Sequence, residues 1–197
     1  MLYPVNGGAQ RTYAPRSVLA SGNWYKLAVS SEGIYRIDGA RIQTAGIANL
    51  PIPSAGLRLF SKGGQMLGES NSSFYVDDLR EIAIEVFDGG DGQFNANDHI
   101  LFHSPGPHAW VPESGPTPFS FRKNLYSDSA YYYLSIGGVG KRIPTQAATG
   151  STGTIIDRFY DRKVYELDSV NLLSSGQQWF GDELAQAPGK SLVKDLP

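Results

Sequence analysis

Cysteine is absent from the 197 residues, and methionine occurs only twice. Without a sulfur nucleophile the chain can hold no thiol catalyst, no thiolate-bound zinc and no disulfide framework. That absence does not fix a compartment, since an exported protein without cysteine simply escapes thiol chemistry. Basic excess is missing too: 17 Lys and Arg against 19 Asp and Glu leave a net charge of −2. Nucleic-acid binders of the usual electrostatic kind, basic overall or on one face, are thereby excluded. No apolar run approaches the roughly 18 residues that a membrane helix requires. The opening Met1-Leu2-Tyr3-Pro4, followed by Asn6-Gly7-Gly8, lacks the basic start and apolar core of a signal peptide. A mature or internal segment of a longer protein is the expectation.

Glycine and proline are abundant instead, at 23 and 12 residues, about half again their average share. Such dense punctuation disfavours long helices. The length suits one large domain or two small ones and buries enough surface to fold without metal or disulfide. Trp24 to Val29 and Ile34 to Ile37 read as two strands joined by the turn residues Ser30-Ser31-Glu32-Gly33, a hairpin by period and punctuation. Asp38 is placed to cap a short helix over Ala40 to Ala45, with Gly46 stopping it. Leu57 to Phe60, Leu79 to Phe87, His99 to His103 and Ala130 to Ile136 read as further strands, the third pairing with the second. Ser104 to Pro118 holds five prolines and reads as a long irregular loop, and 154–167 as one long or two short strands. Short strands at regular spacing predict an all-β fold, an antiparallel β-sandwich of jelly-roll type with one or two short helices and long loops. The expected organisation is a flexible lead-in over 1–16, the β-sandwich over 17–183, and a tail or the start of another domain over 184–197. Leu192-Val193 looks like a strand cut off from its continuation.

Three groups of residues could carry chemistry. Asp88, Asp91, Asn95, Asn97 and Asp98 put five oxygen-bearing side chains into 11 residues, a composition that suits Ca²⁺ as a candidate cofactor. The spacing is not that of an EF-hand, and the plainer reading is a tight connection in which Asp and Asn accept backbone N–H groups. His99, His103 and His108 lie close in sequence, but on a strand the first two stand about 13 Å apart, too far to share an ion. Trp110 with Tyr131 and Tyr133 could form a platform for sugar rings, against the plainer reading of strand aromatics divided between core and surface. Neither a Gly-x-Ser-x-Gly elbow nor a phosphate loop occurs.

Six stretches follow one another in a familiar order. They are Ser17 to Lys26, Gly33 to Asp38, Asp91 to Phe102, Lys123 to Asp128, Tyr132 to Gly138, and Asn171 to Gly181. Together they resemble the N-terminal region of the type IX secretion sortases, gingipain-like members of the C25 cysteine peptidases. The resemblance runs from Ser17 to Glu183, with Gly176-Gln177 standing where a Gly-Arg pair is expected. It implies a long exported protein whose Cys–His peptidase domain follows this region. That parent would cut the C-terminal sorting domain from cargo at the outer membrane and attach the mature cargo to a lipopolysaccharide anchor. No catalytic residue carries over, because this chain has no thiol.

Three readings remain open. The first is a non-catalytic accessory domain, a scaffold or docking surface for the peptidase domain, cargo sorting domains or outer-membrane components. The second is a stand-alone carbohydrate- or protein-binding module. The third is an inhibitory prodomain entering the active site with a basic residue, for which Arg122, Lys123, Lys141 and Arg142 are eligible. The resemblance places the protein outside the cell or at the outer membrane, with no nucleic-acid partner.

Overall fold

The computed structural model describes residues 13–68, 70, 73, 75–114, 119–147, 157, 163–165, 168, 170–171, 174 and 179–181. The strands read over 154–167, the tail over 184–197 and the first twelve residues of the lead-in lie almost wholly outside these. The chain divides into two compact units, Met1–Ala147 and Ala148–Pro197. In the second, the described residues include one antiparallel pairing, Val170 with Phe180, closed by N···O bonds of 2.9 and 2.8 Å.

The first unit is an all-β antiparallel sandwich with short helices. Its elements are β1 (Tyr25–Val29), β2 (Gly33–Asp38), α1 (Gly39–Thr44), β3 (Ile52–Pro53), β4 (Leu57–Ser61), β5 (Arg80–Ile82) and β6 (Glu85–Phe87). They continue with β7 (Gln93–Phe94), β8 (His99–Ser104), β9 (Ala109–Pro112), β10 (Phe119–Arg122) and β11 (Ala130–Ile136). One sheet runs β1-β11-β4-β5 and the other β2-β8-β6, with the ribbons β3-β7 and β9-β10 beside them. Every pairing between named strands is antiparallel.

Period-two burial builds the core. On β11, Ala130, Tyr132 and Leu134 are buried while Tyr131 and Tyr133 point the other way. Leu57 and Leu59 of β4 and Ile100 and Phe102 of β8 complete the facing layers. The rings of Phe102 and Tyr132 meet with centroids 4.8 Å apart, and Tyr35 stacks on the far side of Phe102 at 5.7 Å. Burial pushes the Tyr132 phenol up, and the nearby buried Ser104 hydroxyl acts against that push.

Three expectations are corrected. β1 and β2 do not form a hairpin: β1 pairs with β11 and β2 with β8, in different sheets. Their connecting turn is wedged against the 104–107 segment, where Gly106 has φ +72° and a Cβ would strike the backbone of Ser31 and Glu32. A turn held there makes a corner between sheets. Leu79 to Phe87 is not one strand but two, β5 and β6, again in different sheets. Ile84 sits buried at the switch, its N–H donating to Lys141 O and its carbonyl accepting from Ile143 N. The Ser104 to Pro118 loop contains a strand, β9, which takes β10 as its partner.

The short helix falls where expected, and Gly46 ends it at φ +67° with its N–H donating to Gln43 O. Its start is capped differently. Asp38 makes no side-chain cap and instead accepts from Arg36 Nε. The first helical N–H groups, of Gly39 and Ala40, donate to the carbonyls of Asp98 and Ala96 at 2.8 Å. Arg142 fixes the exit from β11, donating to Ser54 O at 2.6 Å, Leu57 O at 3.1 Å and Lys141 O at 3.0 Å.

The inter-sheet contact sets a graded expectation in urea denaturation. Phe102→Ala should cost about 3–5 kcal/mol, as core aromatic truncations do. Tyr132→Phe, which keeps the ring and removes only the hydroxyl, should cost about 1 kcal/mol or less. Equal losses for the two would contradict a core in which ring packing dominates.

Candidate functional site

The Asp88–Asp98 loop spends its carboxylates on its own backbone. Asp88 Oδ1 accepts from Gly90 N at 3.0 Å, Asp91 Oδ1 from Gln93 N at 2.8 Å, and Asp98 Oδ2 from Asn95 N at 2.5 Å. The Asn95 amide donates to Gln93 O at 3.4 Å, and Asn97 is exposed. Asp88 is held below the usual carboxylate range by the Ser54 hydroxyl first and by backbone N–H groups next, against a smaller upward push from burial. That buried hydroxyl makes no hydrogen bond of good geometry, so its influence on Asp88 is that of a nearby dipole. Among the described residues, no group of three or more Asp, Glu or His is placed to hold a metal ion. The loop's visible task is structural. It seats Phe94, fully buried, and presents the two carbonyls that cap α1.

The histidines diverge. His99 stacks on Phe87 at 4.6 Å, His103 is exposed opposite Ile34, and His108 Nδ1 accepts the Asn124 N–H at 3.0 Å beside the edge of Phe121. Asn124, buried, then organises the loop after β10: its Oδ1 accepts from Tyr126 N and Ser127 N, and its Nδ2 donates to Gly64 O.

Of the three aromatic residues singled out, the fold brings two together. Tyr131 and Tyr133 line one cleft of about 330 Å³ on the outer face of the four-stranded sheet, with Lys62, Leu67, Val76 and Leu79. Trp110 is not part of that lining; it packs on Phe121 across the β9-β10 ribbon, centroids 5.0 Å apart. Tyr131 also has a partner on its ring, since Lys26 Nζ lies 3.7 Å from the centroid. A sugar stacking there would have to displace an ammonium from the π-face.

An adjoining cleft of about 510 Å³ shares Lys62, Leu79 and Tyr133 and adds residues invisible to sequence reasoning, Asp77 and Asp78. These two carboxylates hold the segment ahead of β1. Ala14 N–H donates to Asp77 Oδ2 at 2.6 Å, Val18 N–H to Asp78 Oδ2 at 2.6 Å, and Ser17 Oγ to Asp78 Oδ1 at 2.9 Å. Lys62 Nζ donates to Asp77 O at 2.8 Å, and Leu79 N–H to Asp78 Oδ1 at 2.8 Å. Asp78 sits below its ordinary range chiefly through the Val18 N–H, with burial opposing and Leu79, Ser17 and Lys62 assisting. No spacing in the sequence announces this pair, because its donors lie 60 residues away.

The basic side chains are unevenly committed. Arg58 donates to Glu81 Oε2 at 2.7 Å and lies over Phe60. Burial pushes Glu81 up, but Arg58 and the Lys141 N–H more than offset it, leaving the carboxyl below its usual range. Lys141 Nζ donates to Glu81 O at 3.3 Å and Arg142 is fixed on three carbonyls. Arg122, at the end of β10, is exposed.

No family model matches the chain. No curated protein matches it either. Among solved structures, it is similar to dimeric latent PorU from Porphyromonas gingivalis, at 27% identity and a TM-score of 0.53. The match covers 71% of this chain and 12% of that one, so the chain corresponds to a small part of its neighbour. This supports a PorU-related domain. Among the described residues, no helix is long and apolar enough to cross a membrane.

Two outcomes are expected. Asp78 and Asp88 have folded-state values below their unfolded ones, so the stability they add is present above the unfolded carboxylate range and lost as pH falls through the folded values. Acid titration of Tm should therefore fall less steeply for Asp78→Asn than for the native chain. Asp91→Ala should lower Tm by a few degrees, equally in excess Ca²⁺ and in chelator; a loss confined to Ca²⁺ would reinstate the metal reading.

Proposed function

We propose that this chain is a non-catalytic β-domain of a type IX secretion sortase of the PorU kind, serving as a scaffold or docking surface for the peptidase domain of the same polypeptide. The observation that carries this reading is the PorU likeness over 71% of the chain, at 27% identity and a TM-score of 0.53. The missing cysteine agrees with it, because peptidase chemistry of that class needs a thiolate and the chain can only position or recognise. Cargo sorting domains and outer-membrane components are the further partners the reading implies, and the cell surface is the place it implies.

The two alternatives draw less support. A carbohydrate platform loses Trp110 to the ribbon and one face of Tyr131 to Lys26. An inhibitory prodomain has to extend a basic residue outward; Lys141 and Arg142 are bound to this domain's own carbonyls, while Arg122, exposed at the end of β10, stays eligible.

The deciding experiment mixes the purified chain with the separately purified peptidase portion of its parent. Stable co-elution, with peptide hydrolysis neither inhibited nor supplied by the chain, is the expected result. Inhibition in proportion to added chain would move the assignment to a prodomain, and hydrolysis by the chain alone would end the non-catalytic reading.

A further inference from the structure

The segment ahead of β1 lies on the sandwich in an unusual way. Residues 13–23 are all exposed, and the 3₁₀ turn Val18–Ala20 buries none of its residues. Apolar burial, the ordinary reason for a segment to dock, is only partial: Val18 and Leu19 stay 36% and 41% exposed. Specific polar bonds fix it in place: Ala14 N–H, Ser17 Oγ and Val18 N–H on the carboxylates of Asp77 and Asp78. Ser17 Oγ meanwhile accepts from Leu19 N at 3.2 Å, so one hydroxyl both shapes the turn and reaches Asp78.

The receiving side is built without the segment. Lys62 fixes the Asp77 carbonyl and Leu79 N–H fixes an Asp78 oxygen, and neither bond involves residues 13–23. Leu79 and Tyr133 belong both to the cleft beside the segment and to the one that continues to Tyr131 and Leu67. A preformed acceptor pair thus stands at one end of an apolar groove. Its occupant contributes donors and buries no side chain completely. Segments held only by exposed hydrogen bonds are the first to open, and a preordered receptor lowers the cost of binding a substitute.

We propose that residues 13–20 are a displaceable strap, and that the groove beneath it binds an extended polypeptide offering a serine or threonine hydroxyl and backbone N–H groups to Asp77 and Asp78. Ionised carboxylates only accept, so the incoming ligand must supply the donors. The strap displays the required pattern: an N–H three residues ahead of a hydroxyl, followed at once by a second N–H. The inference stands apart from the sortase reading, since the groove is a property of this domain whatever polypeptide carries it.

The test uses the full chain. Because it contains no cysteine, Ala20→Cys gives a single attachment point for an environment-sensitive dye on the strap. A synthetic peptide with the sequence of residues 13–22 is titrated in. The expected result is a saturable dye response, weakened about tenfold or more when the peptide's serine is replaced by alanine, the effect of one charge-assisted bond. In Asp78→Asn, the dye should start near its displaced value. Amide exchange on the unlabelled chain gives an independent reading that no variant can spoil. Val18 should exchange much faster than the amides of β11 and faster still with saturating peptide. A Val18 amide as protected as β11, or no response to millimolar peptide, would overturn the proposal.

Discussion

The contact between Phe102 and Tyr132 is the one on which the sandwich depends. Each ring comes from an inner strand of its sheet, β8 in one and β11 in the other, so the two set the separation of the layers. Tyr35 stacks on Phe102, and Leu57, Leu59 and Leu134 belong to the same buried cluster as Tyr132. Ser104 lies buried near the Tyr132 phenol, and its hydroxyl accepts from Gly106 N at 3.0 Å. Gly106 in turn packs against Ser31 and Glu32, so the core hydroxyl is linked to the corner that sends β1 and β2 into different sheets. Close-packed interiors transmit such constraints because they have no slack to absorb them.

This linkage explains which elements were legible in the sequence. Strand identity was, because alternation is local: Ala130, Tyr132 and Leu134 declare their inward face in five residues. Strand partners were not. The residues from Tyr25 to Ile37 carry every local mark of a hairpin, yet β1 finds Tyr131 and its neighbours about a hundred residues on, and β2 finds β8. The reason for the corner lies in Gly106, which no local pattern connects to Ser31. Likewise Leu79 to Phe87 announces strand, but the break at Ile84 depends on Lys141 and Ile143.

The candidate site divides along the same line. The acidic loop was conspicuous because its residues are contiguous, and its geometry is a set of local turns in which each Asp serves an amide two or three residues away. The groove was invisible because it is assembled from the segment ahead of β1, from Lys62, from Asp77 to Leu79 and from β11. Tyr131 and Tyr133 were singled out for their aromatic faces, and they do line a cleft. Its chemistry is set by the neighbouring Lys62 and by the two aspartates, which sequence spacing does not mark.

Arg142 has a mechanical meaning. Its guanidinium grips Ser54 O and Leu57 O while its own segment pairs with Ile84. Tension arriving through the chain beyond Ile143 therefore meets several bonds loaded side by side. Without that grip, the same pull would peel β11 from the sheet one residue at a time. The side-by-side arrangement shares the load and resists rupture far better.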